Sequence, residues 1–196
     1  LMSQPEAIAS AHPCDLSEPD QLVHLCQSVV QLHGSLDIVV HAAAWTGATN
    51  VEGWNASFDR QTIAAWERSM TVNLTSAFAL SKAAAPMLAA CGKGSLVFIG
   101  SIYGSAGPDW RLYEGTNMTC PAAYAAAKGG VLQLTRYLAT TLAPSVRVNL
   151  ISPGGILRGQ PAIFVDRYSA RTPLGRLGRE EDIKGAAVFL ASDLSL

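Results

Sequence analysis

A serine at the end of one apolar run, and a tyrosine and lysine four residues apart in an Ala-rich run, are the groups in this sequence best equipped for proton chemistry. Ser101 follows Ser95-Leu96-Val97-Phe98-Ile99-Gly100, and Tyr124-Ala-Ala-Ala-Lys128 comes 23 positions later. On a helix, residues four apart share a face, so the Lys128 ammonium can approach the Tyr124 phenol. A neighbouring cation favours phenolate, which would bring the ordinary tyrosine pKa of about 10 down toward the neutral range where a general acid/base works. Ser101 can hold a carbonyl or hydroxyl oxygen beside that phenol. Taken alone, Tyr-x-x-x-Lys also describes a packed ring next to a snorkelling lysine, so the flanking elements decide.

Those elements alternate. Asp15-Leu16 ends a short strand, and Ser17-Glu-Pro-Asp20 opens a helix with a hydroxyl cap, an early Pro and acids suited to the dipole. Leu22, Leu25, Cys26, Val29 and Val30 recur at helical spacing until Gly34 stops the run. Leu36 to Ala43 is a continuous apolar run of the kind found in buried parallel strands. Trp45 to Asp59 is a long loop and a candidate substrate wall. A helix follows from Thr62 to Ala90, with Pro86 bending it and Gly92 and Gly94 ending it. Asn73 sits among apolar residues within it, a costly place for an amide that nothing uses. Next come a strand over residues 95–99, a polar segment from Ser105 to Cys120, a helix from Pro121 to about Leu142 and a strand over residues 145–151. After the turn at Pro153-Gly-Gly-Ile156, Arg167, Arg171, Arg176 and Arg179 cluster in a polar stretch before a last helix from Glu180 to Ala191. This alternation predicts an α/β fold, a doubly wound parallel sheet with helices on both faces. Asp15, His41 to Ala44, Ser101 and Pro153 to Ile156 each follow the C-terminal end of a separate strand, the edge at which open parallel sheets bind ligands.

Composition narrows the function. With 196 residues, 49% of them hydrophobic, 15% charged and a net charge of −1, the chain suits one domain over residues 1–196 with a real core. It lacks the basic face that nucleic-acid or membrane-surface binding needs. No apolar run approaches the 18 or so residues of a membrane span, and no signal-peptide pattern opens the sequence, which leads us to expect a cytoplasmic protein. Cys14, Cys26, Cys91 and Cys120 and the four histidines show no ligand spacing, so no metal is expected.

The order Gly100-Ser101-Ile102-Tyr103-Gly104, Tyr124, Lys128 and Asn149-Leu-Ile-Ser-Pro153-Gly154-Gly155-Ile156 resembles the short-chain dehydrogenase/reductase family over nearly the whole chain. The resemblance implies a Rossmann-like fold and a cofactor, NAD or NADP. It further implies that Ser101 orients the substrate oxygen, Tyr124 exchanges its proton, Lys128 lowers the phenol's pKa and binds the cofactor ribose, and Asn73, 28 positions ahead of Ser101, supports a water relay. Asp15, with Leu16, matches the family's adenine contact, and Pro153, Gly154 and Ile156 match the backbone against the nicotinamide. Where the family has Asn-Asn-Ala-Gly, this chain has His41-Ala42-Ala43-Ala44: the small cofactor-facing residues remain, and His41 is expected to be a packed, hydrogen-bonded core residue. Arg158 stands where members often have a threonine. The family's opening Gly-rich βαβ unit, with its pyrophosphate-binding turn, and its final strand have no counterpart in these residues, so both are expected only in the intact gene product.

The expected activity is hydride transfer to or from a polar carbonyl or secondary alcohol, with a sugar or nucleotide-sugar intermediate as substrate and a place in carbohydrate metabolism. That substrate is suggested by the segment before Tyr124, whose Trp110, Arg111, Tyr113 and Glu114 are candidate substrate contacts, and which is similar to oxidoreductases of bacterial sugar-modification clusters. The alternatives are a 3-oxoacyl-carrier-protein reductase and a non-catalytic dinucleotide-binding member. A homodimer or homotetramer with a small-molecule substrate is expected, without nucleic-acid or membrane partners.

Overall fold

In the computed structural model, which describes residues 9–46 and 51–196, the described strands form one parallel sheet. β1 (Ile38–His41), β2 (Gly94–Ile99) and β3 (Val146–Ile151) lie side by side in that order, with Val39 opposite Leu96 and Val97 opposite Asn149. Parallel neighbours need long crossovers. Helices α2 (Ile63–Met70) and α3 (Ser76–Ala90) join β1 to β2, and α4 (Ala122–Leu142) joins β2 to β3. α1 (Pro19–His33) precedes β1, while α5 (Ala162–Arg171) and α6 (Glu180–Ala191) follow β3.

Strand alternation divides the side chains between two layers. Leu96, Phe98, Val146 and Val148 pack with Leu22 and Cys26 of α1, Ala77, Leu80, Ala84 and Leu88 of α3 and Val131 of α4 in the main core. The intervening residues face α6: the Ser95 hydroxyl donates to the Leu190 carbonyl at 2.8 Å, and the Arg147 guanidinium donates to the carbonyls of Leu190 and Ser192. Helices thus cover both faces, as the alternation predicts.

Several local expectations need correction. Among the described residues the backbone leading into Asp15 forms no strand, and β1 has β2 as its one neighbour; Cys14 and Leu16 still pack on the core, and the Asp15 N–H turns to Gln21 Oε1. Ser17 does not cap α1. Its hydroxyl donates to Asp15 Oδ1 at 2.7 Å, and Glu18 precedes the helix without a side-chain cap, while Pro19 at the first helical position has no N–H to leave unpaired. Gly92, at φ 79°, ends α3, but Gly94 belongs to β2. A Cβ at Gly94 would lie 2.5 Å from the Leu88 carbonyl, so glycine there lets α3 press onto the strand. The helix expected over residues 62–90 is interrupted by a π-helical turn at Thr71–Thr75, and the stretch expected to be merely polar after Ile156 contains α5.

Among the described residues no helix is long and apolar enough to cross a membrane, and no group of His, Cys, Asp and Glu is arranged to hold a metal ion.

Candidate active site

β2 delivers Ser101 in extended conformation to a short 3₁₀ turn, Ile102–Gly104, whose Tyr103 N–H donates to the Ser101 hydroxyl at 3.2 Å. This turn rests directly on α4. A Cβ at Gly104 would lie 2.7 Å from the Lys128 carbonyl oxygen, a contact of backbone on backbone that no rotamer relieves. Gly104→Ala is therefore expected to push Ser101 away from α4, lowering turnover at least tenfold and costing about 1–3 kcal/mol of stability as overpacking does. Steady-state kinetics and urea denaturation of the variant check both.

On α4, Lys128 is 5% exposed and its Nζ donates to the Ile99 carbonyl at 2.7 Å, tying the helix to the end of β2. Burial lowers its pKa to about 8, so the ammonium is mostly charged at neutral pH. Nζ stands 5.8 Å from the centre of the Tyr124 ring. The phenol does not respond as the spacing predicts: burial raises its pKa, and the opposing pull of the Ser101 hydroxyl does not overcome it. The lysine's charge is directed at a carbonyl rather than at the phenolic oxygen, and Tyr124 stays protonated.

Asn73 lies in the π-helical turn, where the Ser76 N–H reaches back to the Thr71 carbonyl. Its amide is spent on the loop after β1. Oδ1 accepts the Trp45 N–H at 2.6 Å, and Nδ2 donates to the Trp45 carbonyl at 3.1 Å and to Ser69 Oγ at 3.0 Å. Trp45 so held stacks on Trp54 with ring centres 4.4 Å apart, and these two with Ala65 and Ala123 form a buried cluster against which Tyr124 packs. The expected substrate wall over residues 45–59 thus contributes two buried tryptophans to that cluster; its residues 47–50 lie outside the described residues. His41 is buried as expected. Ser76 Oγ donates to the Val72 carbonyl and can accept from His41 Nε2 at 3.2 Å, and burial, followed by the Lys128 charge, lowers the imidazole's pKa.

A chamber of about 170 Å³ is lined by Ser101, Tyr124, Tyr103, Tyr113, Gly154, Gly155, Gln160, Phe164 and Tyr168. Its far wall is α5. The Gly155 N–H donates to Tyr168 Oη at 2.6 Å, and the ring lies so close that a Cβ on Gly155 would stand 3.0 Å from it. Parallel bonding of Ile156 with Gly178 closes the base of this excursion. Leu112, Phe164 and Leu177 join it to the polar segment before α4, and Arg167 donates to the Glu114 carbonyl. A second cavity, about 330 Å³, is lined by Ala42, Pro153 and Ile156 with Val40, Ile99 and Arg158.

The structure therefore gathers Ser101, Tyr124, Tyr113 and Gly154 around one chamber, and Ala42, Pro153 and Ile156 around a cleft bounded by the residue whose carbonyl holds Lys128. Ala43 and Ala44 follow in the loop to Trp45. Asp15 and Leu16 line neither space; the Asp15 carboxylate is exposed and bonded to Ser17, which keeps its pKa low. Of the other candidate substrate contacts, Trp110 is 55% exposed with its ring 5.7 Å from that of Tyr113, Arg111 is paired with Asp109, and Glu114 offers its carbonyl to Arg167; none of the three lines the chamber. The four arginines are dispersed as well: Arg171 pairs with Asp109, Arg176 with Asp182, and Arg179 stands at the start of α6 with its backbone N–H donating to Asp182 Oδ2. Tyr103, Phe164 and Tyr168 were not singled out from sequence. The spacing of Phe164 and Tyr168, four apart after Pro161, was the available signal.

The whole chain, residues 2–196, matches the family model described as Enoyl-(Acyl carrier protein) reductase. It is 33% identical over 184 residues to cis-4-hydroxycyclohexanecarboxylate dehydrogenase of Sinomonas cyclohexanicum, covering 91% of this chain and 68% of that one. It is also 33% identical over 204 residues to 2-(S)-hydroxypropyl-CoM dehydrogenase 3 of Xanthobacter autotrophicus, covering 98% and 73%. A crystal structure of a short chain dehydrogenase from Leptospira borgpetersenii with bound NAD+ superposes with a TM-score of 0.82 at 31% identity, over 98% of this chain and 74% of that one.

Proposed function

This chain belongs to the short-chain dehydrogenase/reductase family and is an NAD(P)-dependent oxidoreductase of hydroxyl or carbonyl substrates; from that premise we propose that Tyr124 and Ser101 work on a small cyclic ketone or secondary alcohol held in the chamber under α5. The observation that carries this reading is the chamber itself: about 170 Å³, lined by Ser101 and Tyr124 together with the aromatic residues Tyr103, Tyr113, Phe164 and Tyr168. Ser101 positions the substrate oxygen, and the protonated Tyr124 gives its proton to the alkoxide forming there. A phenol whose pKa burial has raised is suited to being that acid. Lys128 supplies a fixed positive charge behind it, and Asn73 holds the loop whose tryptophans back its ring.

The second cavity could take a nicotinamide: Ala42, Pro153 and Ile156 offer small or apolar surface for a flat ring beside the Lys128-bound end of β2, while Arg158, Glu180 and Lys184 add a charged border. Nicotinamide, when bound, supplies or receives the hydride.

Of the sugar substrates we favour a free ketose or its alcohol, alongside carbocyclic analogues of similar size, because the reacting ring is the part the chamber must hold. Incubating the full-length protein with cyclic ketones, ketoses, nucleotide sugars and an acetoacetyl thioester while following nicotinamide absorbance tests this. Turnover confined to the thioester would replace this reading with the carrier-protein reductase, and no turnover of any substrate would favour the non-catalytic one.

A further inference from the structure

The hydroxyl protons of the chamber do not balance. Besides the reacting pair, three phenols line it: Tyr103, Tyr113 and Tyr168. The Tyr103 and Tyr113 oxygens stand 2.7 Å apart, so one donates to the other and one proton is left over. Tyr168 Oη accepts from the Gly155 N–H, and that bond leaves its own proton unused. No carboxylate lines the chamber, and Asp109 of the polar segment is taken by Arg111 and Arg171. Burial raises the pKa of both Tyr103 and Tyr113, so both stay protonated donors across the working range. The Tyr103–Tyr113 pair thus has one proton to offer a ligand oxygen, and no protein acceptor is paired with that proton.

We propose that Tyr103 and Tyr113 form a donor pair that recognises a second, acceptor oxygen on the substrate, remote from the reacting carbon. This rests on the chamber being the substrate site and narrows the substrate class to ketones or alcohols that carry a carbonyl, ether or carboxylate oxygen elsewhere on the ring. An unsubstituted ring of the same size would leave the pair's spare proton facing carbon.

Two ketones of matched size isolate the effect: 4-methoxycyclohexanone, which carries the second oxygen, and 4-ethylcyclohexanone, which does not. Their dissociation constants would be measured by calorimetry on the full-length protein and on the double variant Tyr103→Phe/Tyr113→Phe. The double variant keeps both rings, including the Tyr113 packing on Phe164 at 5.4 Å between ring centres. The expected result is that the preference for the methoxy compound drops about five- to tenfold in the double variant, the size of one lost neutral hydrogen bond. Because the readout is a ratio within one protein sample, partial unfolding cancels. A preference unchanged within about twofold, equal weakening of both ketones, or no binding of either to the parent protein would overturn the proposal. Binding with the expected preference but without turnover would instead count against the proposed function and leave this inference standing.

Discussion

Tyr124→Phe in the full-length protein is expected to reduce its ketone substrate about 10²–10⁴-fold more slowly than the parent, the usual contribution of a positioned general acid, while unfolding at nearly the same temperature. The phenol oxygen is the only atom removed. The ring keeps its packing against the cluster of Trp45, Trp54, Ala65 and Ala123, in which Asn73 pins Trp45 through both its backbone groups. The loss should fall on kcat rather than KM, because the proton is needed as the alkoxide forms and not to bind the ketone. Stopped-flow kinetics and a thermal melt of the same samples check the two halves of the expectation, and an unchanged rate would remove Tyr124 from the mechanism.

Lys128→Met should lower turnover about 10²-fold or more, the scale associated with losing a preorganised charge in a water-poor site. It also leaves the Ile99 carbonyl without its 2.7 Å donor. The pH dependence gives the more specific signature. Burial brings the Lys128 pKa down to about 8, and the ammonium is the form proposed to act, so kcat/KM for ketone reduction should be level up to about pH 7 and fall as pH rises through about 8. Tyr124, whose pKa is raised, should add no limb at or below neutral pH, because its active form is the protonated one. Lys128→Arg keeps its charge at every accessible pH and should abolish the limb near 8, whereas Lys128→Met should be slow and flat through that region. A parent profile level through pH 9 would contradict the assignment of the ammonium.

Sequence period and spacing reached most of the frame. α1, α6 and the three parallel strands stand close to where the apolar runs place them; β2 is buried as such a run predicts, whereas Ile38 and Val40 leave β1 partly exposed rather than buried on both faces. The strand expected to end at Asp15-Leu16 had little local pattern behind it, and among the described residues no neighbouring strand pairs with it. Local pattern also concealed the π-helical turn. One extra residue in a helix leaves no compositional mark, yet it sets the Asn73 amide toward Trp45.

At the candidate site, Ser101, Tyr124 and Lys128 were legible because their order and spacing are tied to one strand end and one helix face. The chamber's opposite wall was not. Tyr168 comes from α5, and its place against Gly154 and Gly155 depends on a long-range contact between an excursion and a turn. The direction of the Tyr124 pKa was missed for a related reason: spacing of four residues brings Lys128 near the ring, but only coordinates show that its ammonium is spent on Ile99.

The central claim, that this chamber hosts hydride transfer between a ring carbon and nicotinamide, is tested most directly by isotope transfer. The full-length protein would be incubated with oxidised NAD or NADP and a cyclic secondary alcohol deuterated at the carbinol carbon, and the reduced nicotinamide examined by NMR. The account predicts deuterium at C4 of the reduced ring on one face only, with the label absent when Tyr124→Phe is used at the same enzyme concentration and time. Reduced nicotinamide carrying no deuterium, or equal labelling by the Tyr124→Phe variant, would contradict it.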